Sequence, residues 1–75
     1  MYALRPVKPY KLIKVLKSLG FVAVRQRGSH ISFRHPDGRS TLVPAHSGEE
    51  IDRHLLNKII KKDLGMEIED FMRLV

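Results

Sequence analysis

The stretch FVAVRQRGSHISFRHPDGRSTLVP, residues 21–44, decides the fold, because two turn sequences in it separate three runs of strand-forming residues. Residues 21–27 are rich in β-branched and aromatic side chains, and Gly28 ends that run. Residues 29–35 and 39–44 form the second and third runs. Connections this short join antiparallel neighbours, so we predict a three-stranded antiparallel meander with the second run in the middle.

Side chains alternate between the two faces of a strand, and this alternation predicts one wet face of the sheet. In the second run, Ile31 and Phe33 share the apolar face, while His30, Ser32 and Arg34 share the polar face. The first run divides into Val22, Val24 and Gln26 on one side and Phe21, Ala23, Arg25 and Arg27 on the other. We therefore expect His30 on an open surface flanked by Arg25, Arg27 and Arg34.

The tetrapeptide His35-Pro36-Asp37-Gly38, between the second and third runs, is typical of a tight turn. Proline presets φ at the second position of the turn, and glycine accepts a left-handed conformation at the last. The third strand should therefore return antiparallel to the second.

Residues 9–19, before the sheet, have the apolar period of an amphipathic helix. The apolar side chains on one arc are Leu12, Ile13, Val15, Leu16 and Leu19, and the residues opposite are Lys11, Lys14, Lys17 and Ser18. Pro9 suits the first turn, and Gly20 suits the position after the helix end. We predict a first helix with a lysine-rich outer side.

The helical period returns after the sheet, with Leu55, Leu56, Ile59 and Ile60 on one side. Asp52 is the expected N-cap of this second helix, and Gly65 is the expected stop. Residues 67–74 carry acids followed by Phe71 and Met72, which predicts a short third helix.

These elements predict an α+β fold in the order α-β-β-β-α, with a short C-terminal helix added. Two amphipathic helices can bury their apolar stripes against one face of a three-stranded antiparallel sheet, so the opposite face stays in water. Seventy-five residues without cysteine allow one small domain, residues 1–75, held by apolar packing alone.

The net charge of +6 and pI near 10.1 predict a polyanionic partner, nucleic acid rather than membrane. Residues 1–46 carry nine Lys or Arg and one acid, a net +8, while residues 47–75 carry five against seven, a net −2. The first twenty residues have no signal-peptide or membrane-span pattern, so we expect a cytoplasmic protein. A merely soluble basic surface explains the composition equally well.

Among the four histidines, the pattern of neighbours favours neither a metal site nor a catalytic triad. His30 and His35 are an odd number of residues apart on one strand, and Ser29 should point away from His30. An exposed histidine beside arginines suffices for RNA cleavage, because RNA supplies its own 2′-hydroxyl nucleophile. Neither a metal nor another cofactor would then be needed. By pattern alone, an ordinary surface histidine remains the better explanation.

Four motifs in this order make a more specific combination than any one of them. They are Leu16-Lys17-Ser18-Leu19-Gly20-Phe21, Arg25-Gln26-Arg27-Gly28-Ser29-His30, Arg34-His35-Pro36-Asp37-Gly38-Arg39 and Val43-Pro44-Ala45-His46. With them the chain resembles, over nearly its whole length, the HicA (YcfA-like) mRNA interferase family of toxin–antitoxin systems. The resemblance reverses the interpretation of His30 as an ordinary surface residue.

The resemblance implies a double-stranded-RNA-binding-domain-like fold and a type II toxin that cleaves mRNA and is neutralised by a HicB antitoxin. The catalytic position maps onto His30, and Gly28 and Ser29 map onto the turn that presents it. His46 matches the Pro-x-His element, for which a structural role is expected. One departure is Arg53-His54-Leu55 where the family commonly has Gly-Thr-Leu, so the start of the second helix should shift toward Asp52.

Two other functions fit parts of the sequence. A non-catalytic double-stranded RNA-binding module would need only phosphate contacts from residues such as Lys11, Lys14, Lys17, Arg25 and Arg27. A protein-interaction module would leave these lysines simply solvated. Cleavage products separate the first function from the second, and RNA affinity at low salt separates both from the third.

Overall fold

The computed structural model describes residues 4–45 and 48–75. Its elements, in chain order, are α1 (Pro9–Ser18), β1 (Val22–Arg27), β2 (His30–Arg34), β3 (Ser40–Pro44), α2 (Arg53–Lys58) and α3 (Ile68–Met72). The predicted order α-β-β-β-α with a short last helix is confirmed, and it fits a double-stranded-RNA-binding-domain-like fold. Within the described ranges, no helix is long and apolar enough to cross a membrane.

The sheet is an antiparallel meander in the order β1-β2-β3, so the prediction that the second strand lies in the middle is confirmed. β2 begins at His30 and not at Ser29, because Gly28 and Ser29 form the two-residue turn of the first hairpin. Gly28 has φ +57°, a conformation that glycine readily adopts at the first position of such a turn.

One face of the sheet packs against the helices. Phe33 from β2 and Val43 from β3 are at most 1% exposed and share a core with the apolar sides of α1 and α2. The helices lie over β3, which contacts both α1 and the turn that follows α2. All six residues of β1 are exposed. The helices therefore cover β3 and leave β1 open.

The end of α1 is a Schellman motif, as the placement of Gly20 predicts. The N–H of Phe21 donates to the carbonyl of Leu16 at 2.9 Å, and the N–H of Gly20 donates to the carbonyl of Lys17 at 3.1 Å. Gly20 has φ +98°, and a Cβ built there would lie 3.1 Å from Nε2 of His35. Both the backbone conformation and the lack of space therefore favour glycine at this position.

The second helix begins as predicted, with the carboxylate of Asp52 accepting the N–H of Leu55 at 3.1 Å. After Lys58 the helix widens into a π-helical turn, Ile59–Asp63, in which the N–H of Leu64 donates to the carbonyl of Ile59 at 2.8 Å. The apolar period did not predict this widening, because these residues fit an α-helix as well. Gly65 follows directly, as expected.

Candidate functional site

A shallow depression of about 420 Å³ lies on the open face of the sheet, opposite the core. It is lined by Arg25, Arg27, His30, Ser32 and Leu42. The pairing of β1 with β2 explains why these residues lie together, because Arg27 pairs with His30 and Arg25 pairs with Ser32. On the other side of β2, Leu42 is the partner of Ser32. The sheet register thus brings an exposed histidine and two arginines together.

A β-bulge at Val24 lets both arginines lie on this face while Ala23 shares the face of Phe33. Ala23 pairs with Phe33 and Arg25 pairs with Ser32, so Val24 is an extra residue without a partner on β2. Strict alternation, which placed Arg25 and Arg27 on the same face as Ala23, is therefore wrong beyond the bulge. The extra residue shifts the parity by one, and the two side chains join the face of His30.

Arg34 shares the open face with His30 but lies at the other end of β2. Four residues of strand, about 13 Å, separate the two positions. Arg34 lines a neighbouring depression with Arg25, Ser32 and Lys58, among others. The expectation that Arg34 flanks His30 directly is not met, although both side chains face the same surface.

The predicted RNA-binding lysines lie on a different surface from His30. Lys11, Lys14 and Lys17 are exposed on the outer side of α1, whose inner side packs in the core beneath the sheet. Lys17 lines a depression beside β1 together with Arg25. The predicted cationic residues therefore form two groups, one on the open face and one on α1, that approach each other at β1.

The turn before His30 is anchored to the strand on the far side of β2. The carbonyl of Ser29 accepts the N–H of Ala45, just after β3, and Ser29 itself is half-buried. Gly28 is exposed and makes the turn possible. These two residues set where β2 begins, and so which residue opens the strand.

His35 has a structural role that the sequence analysis missed. Its Nε2 lies 3.0 Å from the carbonyl oxygen of Leu19, and its Nδ1 lies 3.1 Å from the backbone nitrogen of Asp37 and 2.9 Å from Oδ1 of the same residue. The ring packs on Phe21 with centroids 5.0 Å apart. His35 therefore joins the end of α1 to the turn before β3, on the opposite side of the sheet from His30.

The same turn is stabilised by the side chain of Asp37. The Arg39 backbone N–H, which donates to Oδ1 at 3.0 Å, is the main cause that lowers the pKa of Asp37 below its usual range. The Arg39 guanidinium adds to this, with Nε 2.8 Å from Oδ2. Arg39 also donates to the carbonyl of Leu64 at 2.6 Å, which links the turn to the end of α2.

Within residues 4–45 and 48–75, no group of three His, Asp or Glu side chains is arranged to hold a metal ion. His54 is exposed on α2. His46, of the Pro-x-His element, lies outside the described residues, so its expected structural role stays a prediction.

A family model described as the HicA toxin of bacterial toxin–antitoxin systems matches residues 10–66. The chain belongs to the HicA toxin family. The match begins in α1 and ends just past α2, so all three strands and the depression at His30 lie inside it. The family resemblance predicted from the four sequence motifs is therefore confirmed. No curated protein matches the chain.

Proposed function

We propose that this HicA-family toxin is a metal-independent endoribonuclease that cuts mRNA, with His30 as its catalytic residue. The observation that carries the proposal is the depression on the open face, in which His30 lies beside Arg25 and Arg27 of the paired strand β1. A histidine has an unperturbed pKa of about 6.5, so it can accept and donate a proton near neutral pH.

The reaction requires only proton transfer and stabilisation of charge on the phosphate. His30 takes the proton of a 2′-hydroxyl, the 2′-oxygen attacks the adjacent phosphorus, and the bond to the 5′-oxygen breaks. The products are a 2′,3′-cyclic phosphate and a 5′-hydroxyl end, which gains a proton. The reaction as written needs no oxidant, no metal and no covalent enzyme intermediate.

The arginines hold the phosphate during this step. A guanidinium donates two parallel hydrogen bonds to phosphate oxygens, and charge-assisted bonds of this kind stabilise the extra negative charge of the transition state. Arg25 and Arg27 line the same depression as His30, and in this proposal they contact the phosphate that is cut. Gly28 and Ser29 present His30 at the start of β2, and Arg34, four residues along the strand, contacts the RNA farther from the cut.

The test is cleavage of a labelled mRNA in EDTA by the full chain and by a His30→Ala variant. We expect the variant to lose about 10²–10⁴-fold in rate and to keep its fold, because His30 is exposed. His54→Ala is the matched control, since it removes an exposed histidine on α2 and should cut at the wild-type rate. Cleavage by His30→Ala at the wild-type rate would refute the proposal, as would activity only when a metal is added.

A second candidate is a non-catalytic double-stranded RNA-binding module. The lysines of α1 favour it, because they lie away from His30 on a surface that could follow phosphates without any chemistry. It predicts binding that weakens steeply with salt and yields no products. RNA shifted on a native gel by both wild type and His30→Ala, with no cleavage by either, would establish it.

The proposal extends to the partner, the compartment and the domain. A HicB-type antitoxin is the proposed partner, and the cytoplasm, where mRNA is translated, is the proposed compartment. The 75 residues form one HicA-like domain in this proposal. Phe71 and Met72 of α3, beyond the region that matches the family, support a single domain, because they are buried in the same core as α1 and α2.

A further inference from the structure

A second depression, of about 420 Å³, lies between α1 and β1 on the side of the sheet opposite His30. We call it the α1–β1 groove. Its floor is apolar, because Phe33 is buried and Ile13 and Ile31 are half-buried. Its rim is exposed and cationic, with Lys17 from the helix and Arg25 from the strand. The groove thus offers apolar contact below and positive charge above.

The strand beside this groove has an unpaired edge. β1 is the first strand in the order β1-β2-β3, and no other strand pairs with its outer side among the described residues. Val22 and Val24 are each 59% exposed on it. A strand edge of this kind presents free N–H and C=O groups, and it pairs readily with an extended segment of another chain.

We propose that the α1–β1 groove and the outer edge of β1 bind an acidic, extended segment of the antitoxin. Alternate apolar side chains of that segment lie on the groove floor, and its carboxylates pair with Lys17 and Arg25. The docking site is inferred from membership of a toxin–antitoxin family and does not depend on the chemistry of His30, whereas its effect on RNA binding rests on the phosphate contact proposed for Arg25.

The charges and the apolar floor of the groove select this occupant. A second copy of the chain would bring the arginines of one β1 against those of the other. Like charges and β-bulges both protect the edge strands of natural proteins from pairing with each other. RNA would be held by the cations alone, without use of the apolar floor or the strand edge. An acidic strand uses all three features, and it complements the net +8 of residues 1–46.

Arg25 connects antitoxin binding at the groove with RNA binding at the open face. Arg25 lies on the edge strand and lines both the α1–β1 groove and the depression that holds His30. A carboxylate that pairs with Arg25 from the groove side withdraws it from the phosphate of a bound RNA. The antitoxin can therefore weaken RNA binding from the edge of the sheet without covering His30.

The experiment uses the full chain and the HicB-type antitoxin proposed as its partner, with hydrogen exchange measured on the free and the bound chain. We expect exchange of the β1 amides to slow at least about tenfold in the complex, because outward-pointing N–H groups gain partners. Protection that leaves β1 unchanged would overturn the proposal.

Charge substitutions at Gln26 provide a second measurement. Gln26 is exposed, lines the groove, and does not line the depression at His30. Gln26→Glu should weaken antitoxin binding about tenfold or more, while Gln26→Lys should leave it equal or tighter. Tyr10→Glu is the control, because it puts the same charge on an exposed residue of α1 that does not line the groove, and it should change binding less than twofold.

Three further results would show whether the groove binds antitoxin, a second copy of the chain or RNA, and whether the inference survives without the ribonuclease. A free toxin that sediments as a dimer, and that Gln26→Glu alters, would assign the edge to a second copy and overturn the proposal. Equal loss of RNA binding and antitoxin binding in Gln26→Glu would assign the groove to RNA. If the ribonuclease test fails while β1 is protected by antitoxin, the proposed function falls and this inference stands.

Discussion

The two edges of the sheet have similar lengths and both contain valine, yet their surroundings differ completely. In β3, Thr41 and Val43 are buried under the helices, whereas every residue of β1 is exposed. Thr41 also donates to Asp63 at 2.9 Å, which ties β3 to the turn after α2. Both edges are strands, and their roles differ because the helices pack against β3 and not against β1. β3 stabilises the fold, and β1 is left available for binding.

Single-residue deletions should separate the two edges most strongly. Deletion of Leu42 shifts half of β3 by one position and turns either Thr41 or Val43 out of the core, so we expect a loss above about 4 kcal/mol and an unfolded chain. Deletion of Val24 removes only the bulge residue, after which Arg25 still pairs with Ser32, so we expect a change within about 1 kcal/mol and normal RNA cleavage. Circular dichroism and denaturant unfolding measure both.

Two results would contradict this difference between β3 and β1. A chain that folds without Leu42 would mean that β3 can slip in register, and loss of RNA cleavage on deletion of Val24 would mean that the bulge itself shapes the site.

Removing the same two methyl groups from each edge gives a smaller effect of the same kind. Val43 is fully buried, and Val43→Ala should lower the free energy of unfolding by about 2 kcal/mol, from lost burial and a residual cavity. Val24 is 59% exposed, and Val24→Ala should change it by less than about 0.5 kcal/mol. Urea unfolding of the two variants checks this, and equal losses would show that β1 is not an uncovered edge in solution.

The smallest effect concerns the turn that leads into the covered edge. The pKa of Asp37 is lowered in the folded state, so its carboxylate adds stability above its ordinary pKa of about 3.9, and that stability is lost as the pH falls through the lower folded value. Asp37→Asn should therefore be slightly less stable than wild type near pH 7, and the difference should shrink as the pH falls below the lowered pKa of Asp37. A difference that does not change with pH would exclude the carboxylate charge as its cause.

Much of the fold could be predicted from sequence because local chemistry specifies it. Gly20 ends α1, Asp52 caps α2, and His35-Pro36-Asp37-Gly38 turns the chain between β2 and β3, each through contacts within a few residues. Short connections then leave little choice of strand order. The middle position of β2 and the open face at His30 follow from these elements.

The surroundings of His30 were less predictable, because they depend on an inserted residue and on tertiary contacts. The bulge at Val24 has no compositional signature, but one sign of it was present, since strict alternation placed Arg25 and Arg27 on the face of buried Phe21. The separation of the α1 lysines from His30 depends on which face of the sheet the helix covers. The role of His35 depends on its approach to Leu19, sixteen residues away.

The Schellman motif at the end of α1 divides the family signature into two parts that can be inherited separately. Leu16, Gly20 and Phe21 are the residues that close the helix, so the Leu-x-x-x-Gly-Phe element records how the chain folds. Gly-Ser-His contributes a turn and an exposed histidine on the opposite side of the sheet, and it records what the surface does. A homologue that keeps the first element and replaces the histidine retains the scaffold and the edge of β1. Under the two proposals made above, such a homologue would bind an antitoxin without cutting RNA.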